Sequence, residues 1–168
     1  MTKVLSNQRR KRQRGNAFVE FAVTVLPYFA LIFATLDFGM AIFIDNMIQG
    51  AVREGVRYAA TYNTTYPGTT CASQTCAATA AAQAVSMGFL SGTNSSYVHV
   101  NYYAPSDLST PLTTNKNAQG NVVEVRVQNY PWNWMVPLPG YMTGSGLTMS
   151  ASASDVLGTP PSGPTPTP

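Results

Sequence analysis

The sequence predicts an α+β protein in which a long N-terminal transmembrane and stem helix packs on a small antiparallel sheet. Three observations predict it. First, residues 21–36, F-A-V-T-V-L-P-Y-F-A-L-I-F-A-T-L, carry no charge. With Asn16 to Glu20 in front, the apolar stretch is about as long as the roughly 20 residues that cross a hydrocarbon core. Second, helical periodicity continues beyond it. At 100° per residue Met40, Ile44, Met47, Ile48, Ala51, Gly55, Tyr58 and Ala59 fall on one broad face, and Asp45, Asn46, Gln49, Arg53 and Arg57 cluster opposite. Third, the segments 97–103, 121–128 and 146–156 alternate or favour β-branched and aromatic residues, as half-buried strands do.

The N-terminus is basic. Arg9, Arg10, Lys11, Arg12 and Arg14 stand directly before Gly15, and no acid occurs before Glu20. Beside an apolar span such a run fixes the cytoplasmic side. The formal charge of +3 rests on it, because six of the ten basic residues lie in the first fifteen positions; the remainder carries −3. A basic pI is therefore no argument for nucleic acid. A secretory signal peptide would be cut after its apolar region at a small-residue site, and Asp37-Phe38-Gly39 is a poor one. The arrangement points instead to a leader, residues 1–15, cut between Gly15 and Asn16.

Glu20 is the odd residue. A carboxylate in a membrane span costs about 2.5 kcal/mol or more at the bilayer centre, so it needs a partner or a role. Cleavage after Gly15 supplies a partner: the new ammonium on Asn16 lies four residues away, about one helical turn. The pairing can be with the chain's own terminus or with that of a neighbouring subunit. The alternative is an interfacial glutamate that snorkels to the headgroups.

Gly15 with Glu20 five places on, ahead of an apolar helix, resembles the processing site of type IV prepilins. The string A-F-V-E-F-A-V-T-V-L-P (17–27), with L-D-F-G-M-A-I-F (36–43) and I-Q-G-A-V-R-E-G-V-R-Y-A-A-T (48–61), resembles the TadE-like family, minor pilins or pseudopilins of the tight-adherence (Flp-type IVb) pilus. The resemblance covers about the first 60 residues. Phe21 follows Glu20 where the major pilins of this system tend to have Tyr, which favours a minor component over the bulk subunit. The resemblance implies no catalysis and no cofactor. Its implied partners are the membrane, a prepilin peptidase, other minor and major pilins and the assembly platform. It implies a single pass through the bacterial inner membrane with a periplasmic C-terminal domain, or an extracellular one within the pilus. The competing function is a membrane-anchored periplasmic binding or adhesin module that enters no filament.

A helix over residues 16–62 runs roughly 70 Å at 1.5 Å per residue, about twice the membrane core, so its far half must pack on the domain. Pro27 lies inside it without an amide hydrogen, and should kink or loosen the helix at the carbonyl of Val23; membrane helices also tolerate proline without functional meaning. Asp37 is expected at the outer headgroups, with a partner subunit as the alternative neighbour.

From residue 63 a domain of about 95 residues extends to 157, enough for one modest core. N-T-T-Y-P-G-T-T (63–70) is a turn-rich loop. Cys71 and Cys76 are the only cysteines. A metal site would need further ligands, but there is one His, His99, and no nearby carboxylate. On the non-cytoplasmic side the pair is expected as a local disulfide. Residues 76–89 are alanine-rich and helix-prone. Within 122–127, Val123, Val125 and Val127 share one face and Glu124 and Arg126 the other, so the sheet should lie against the stem. The segment 130–140, Y-P-W-N-W-M-V-P-L-P-G, is either a loop whose Trp132 and Trp134 close the core or an exposed contact patch. The tail 158–168 is too rich in Pro to fold and should be extended. There is no nucleotide-binding glycine motif and no arrangement of nucleophile and base, so no small-molecule substrate is expected.

Overall fold

The computed structural model describes residues 2–134, 147–160 and 168, and for residues 2–16 the backbone alone. The expected extended tail therefore lies largely outside the described residues, as do Met135 to Gly140 of the tryptophan segment. The described residues group into two compact units: residues 2–40 with Trp134, and residues 41–133 with 147–160 and 168.

Helix α1 spans Thr2–Ala60. It begins well before the expected residue 16 because the basic stretch is made largely of Lys, Arg, Gln and Leu, residues with good helix propensity. The helix passes through Pro27. In the first unit it is long and apolar enough to cross a membrane, with a mean hydropathy of 2.0 and none of the most apolar window buried. Thr24 and Thr35 hide their hydroxyls by donating to the carbonyls of Glu20 and Leu31, at 3.0 and 2.8 Å, the usual way for a polar side chain to be satisfied within its own helix.

In the second unit the stem half of α1 buries Ala41, Ile44, Ile48, Ala51, Val52, Val56 and Ala59. Ile44, Ile48, Ala51, Gly55 and Ala59 are buried as the periodicity predicts, whereas Met40 is exposed and Met47 and Tyr58 are half-buried. Val52 and Val56 take their place. The centre of the contact is set by Gly55, where the stem approaches both the second helix and the middle strand. Asp37, in the first unit, is buried, at 3% exposure.

Helix α2 spans Gln74–Val85, two residues earlier at its start and four at its end than the alanine-rich stretch implies. Ser73 caps it by accepting from the Cys76 amide at 3.2 Å. It stops at Ser86 because Met87 (φ 50°) and Gly88 (φ 91°) turn left-handed. A 3-10 turn, Gly92–Tyr97, leads into β1 (Val98–Tyr103); β2 (Val122–Pro131) and β3 (Thr148–Val156) complete an antiparallel sheet of order β1-β2-β3. Val100 pairs with Val125 and Val125 with Ala153. Val123, Val125 and Val127 are fully buried, as their alternation predicts. Between Val127 and Tyr130 the register shifts. Asn129 absorbs the irregularity with a left-handed φ of 54°, and its amide donates to Ser150 Oγ at 3.0 Å.

Candidate functional site

The candidate site is the apolar segment of α1 in the first unit. Helical geometry gives this segment two unlike sides. Phe18, Phe21, Val25, Phe29 and Phe33 recur at three- and four-residue spacing and form an aromatic ridge along one side, with Phe29 and Phe33 stacked at 6.1 Å between ring centroids. Glu20, Thr24, Pro27 and Leu31 recur at the same spacing on the other. Glu20 and Phe21, expected together at the assembly site, therefore do not share a face.

Glu20 is exposed, as are Phe18, Phe21, Val23, Leu26 and Leu31, each above 60%. The chain itself covers little of this segment. A carboxylate on such a surface is costly in lipid and is relieved by a positive charge within a turn. Gly15 and Asn16 lie in the helical backbone of α1, and their side chains fall outside the described ones. Thr24, one turn beyond, turns its hydroxyl back on the Glu20 carbonyl, so it offers the carboxylate no competing donor. At Pro27 the missing amide leaves the Val23 carbonyl without its usual intrahelical donor.

The second unit presents little chemistry. Cys71 and Cys76 are bonded to each other, with Cα atoms 5.4 Å apart. His99 stands exposed on β1 opposite Arg126. The Tyr103 hydroxyl donates to Glu124 Oε2 at 3.0 Å; burial first, and then the neighbouring carboxylate, pushes its pKa above the usual tyrosine value. Among the described residues no group of three or more His, Cys, Asp or Glu is placed to hold a metal ion. Trp132 is buried at 7% exposure and its amide donates to the Leu147 carbonyl at 2.8 Å, whereas Trp134 is half-buried. Of the two readings of this segment, a loop that closes the core or an exposed patch, a buried Trp132 fits the first at its own position, and Trp134 is covered only in part.

Two residues that the sequence does not single out, Tyr62 and Gln74, close the end of the stem. Tyr62 occupies the left-handed position past the helix, φ 58°, where glycine is usual. The Asn63 and Tyr62 amides donate to the Tyr58 and Ala59 carbonyls at 3.3 and 3.1 Å, a Schellman closure. Its ring is buried, and its hydroxyl donates to the Gly158 carbonyl at 3.1 Å. The fully buried Gln74 donates its side-chain amide to the Ala59 carbonyl. Gly55 makes the close approach described above. Only Gly55 carried a signal, a glycine on the apolar side of a helical pattern.

No curated protein and no solved structure matches the chain. The model of the family described as TadE-like protein matches residues 15–57, the stretch that holds Gly15, Glu20, Pro27 and the stem as far as Arg57; it is to that family that this N-terminal segment is similar.

Proposed function

We propose that this chain is a minor pilin, or pseudopilin, that a prepilin peptidase cuts between Gly15 and Asn16 and that then takes part in assembly or tip initiation of a tight-adherence type IV pilus used in surface attachment. The TadE-like match implies a protein associated with that pilus. The finer reading rests above all on Glu20, the one acid ahead of Asp37, standing exposed in an apolar helical segment. A glutamate there is a liability in an isolated anchor. It becomes an asset when the terminus of a neighbouring subunit arrives beside it, because the pair then fixes the stagger between helices.

In this reading the chemistry is done to the chain rather than by it. The peptidase requires close backbone approach at the scissile bond, which Gly15 permits. The basic leader holds the N-terminus in the cytoplasm, the domain from residue 63 stands in the periplasm, and removal of the leader leaves an ammonium on Asn16. Phe21 and the rest of the aromatic ridge form the apolar contact with other pilins, and the hydrogen bond that Pro27 cannot make lets the helix adjust there between membrane and filament.

N-terminal sequencing and intact mass of the membrane-extracted protein test the processing directly. A terminus at Asn16 is expected, and Gly15→Arg should retain the full leader. A terminus at Met1 in the wild-type chain, or one after Leu36, would overturn the prepilin reading; the first of these would favour an uncleaved membrane anchor.

A further inference from the structure

We infer that the Cys71–Cys76 disulfide acts as a redox-dependent lock on the C-terminal end of the stem helix, transmitted through Gln74. Cys76 is the third residue of α2 (Gln74–Val85) and Cys71 lies just outside it. The bond therefore spans the N-cap, Ser73, and the first helical residue, Gln74. Ser73 Oγ accepts from the Cys76 amide, the same residue that carries the bonded sulfur. Cross-link and cap together fix the first turn of α2.

That first turn has a job elsewhere. Gln74 is fully buried and donates its side-chain amide to the Ala59 carbonyl, in the last turn of the stem. The same carbonyl accepts the Tyr62 amide. Carbonyls at a helix end lack the donor four residues on, and Gln74 adds a second donor to the one that Tyr62 supplies. If the first turn of α2 frays, Gln74 withdraws, the Ala59 carbonyl loses a partner and the closure around Tyr62 and Asn63 loosens. A loop this short adds little stability to the whole fold. Its effect is local, at the point where the stem meets α2.

Oxidation forms one S–S bond from two thiols, which release two protons and pass two electrons to a protein disulfide oxidant, itself reduced to a dithiol. Such donors act in exported compartments, so the timing of the lock, after translocation, rests on the function proposed above. The lock itself does not, and it can fail while the pilin reading stands.

Amide hydrogen exchange on the full chain in detergent micelles tests it. Reduction with a phosphine, or the paired change Cys71→Ser and Cys76→Ser, should speed exchange at Thr61, Tyr62 and Asn63 by about tenfold, as loss of a buried hydrogen bond implies, while Val123 to Val127 of β2 stay protected. Gln74→Ala with the disulfide intact should produce the same acceleration at the stem end. Reducing that variant should then add little. Unchanged exchange at residues 61–63 on reduction, equal acceleration throughout β2, or full additivity of reduction with Gln74→Ala would each overturn the lock.

Discussion

A methyl group placed on Gly55 would lie 3.1 Å from the Ala78 carbonyl oxygen, 3.2 Å from Val125 Cγ1 and 3.3 Å from Ala82 Cβ. In an exposed helix, glycine to alanine gains about 1 kcal/mol. Here two of the three neighbours are backbone or a Cβ of α2 and cannot rotate away, and overpacking costs about 1–3 kcal/mol. The steric cost should win, so Gly55→Ala lowers unfolding free energy by about 1 kcal/mol, measured by denaturant titration in detergent; a stabilised variant would show that α2 yields. Asp107 offers a contrast at the surface. Its carboxylate accepts from the Ser109 hydroxyl at 2.6 Å and the Ser109 amide at 2.9 Å. These bonds, with further ones from Thr110, hold its pKa at about 2 instead of 3.8. A depressed carboxyl pKa contributes stability that is present above the ordinary value and is lost as pH falls through the folded value. The window here is from 3.8 down to about 2. Because the group is fully exposed the contribution is screened and small, and the sharper measurement is a side-chain NMR titration. Ser109→Ala should move the Asp107 midpoint up toward 3.8; an unmoved midpoint would remove Ser109 as the cause.

The stem, α2 and β2 meet around Gly55, and their contact can be read as a coupling between elements. Val125→Ala alone should destabilise by about 2 kcal/mol through the cavity it leaves. Combined with Gly55→Ala it removes one of the three close neighbours, so the pair should cost less than the sum by about 0.5–1 kcal/mol. Strict additivity in that cycle would mean that stem and sheet are not in contact at this point. How much of this was legible in the sequence follows from which signals are local. Alternation in β2 predicted Val123, Val125 and Val127 inward, and all three are fully buried. The cysteine pair was predicted from a shortage of metal ligands and is bonded. The stem's apolar face was legible in Ile44, Ile48, Ala51, Gly55 and Ala59, all buried; Met40 and Tyr58 were counted with it on hydrophobicity alone, while the close approach at Gly55 buries Val52 and Val56 instead. The start of α2 was missed because alanine content marks a helix interior, whereas Ser73 and Gln74 set its beginning through a cap and a contact fifteen residues back. Tyr62 could not be foreseen, since composition does not reveal that its buried ring will occupy a left-handed position at the helix end.

At the scale of the whole molecule the question is why one chain joins an exposed apolar span to a well-packed domain. A simple anchor needs the span but not Glu20, whereas an assembling subunit uses both. Glu20→Ala removes a charge from the span, so membrane insertion should persist and leader removal should proceed. If the proposed pairing forms on assembly, the same change leaves the Asn16 ammonium unpaired in an apolar setting. Breaking a buried ion pair by deleting one partner costs about 3–5 kcal/mol, enough to reduce incorporation by roughly two to nearly four orders of magnitude. Shape cannot be the cause if Glu20→Gln, which keeps the size and a hydrogen-bonding group, fails as well. Phe21→Ala acts on the opposite side of the helix, where it thins the aromatic ridge without touching the charge. Its loss should be smaller and should not depend on the residue at position 20. Counting pili and measuring co-purification with other pilins in cells carrying each variant separates these effects. Normal pilus number and normal co-purification in both Glu20 variants, with the leader still removed, would mean that the carboxylate pairs with nothing in a filament and that the chain works as a membrane-anchored periplasmic module.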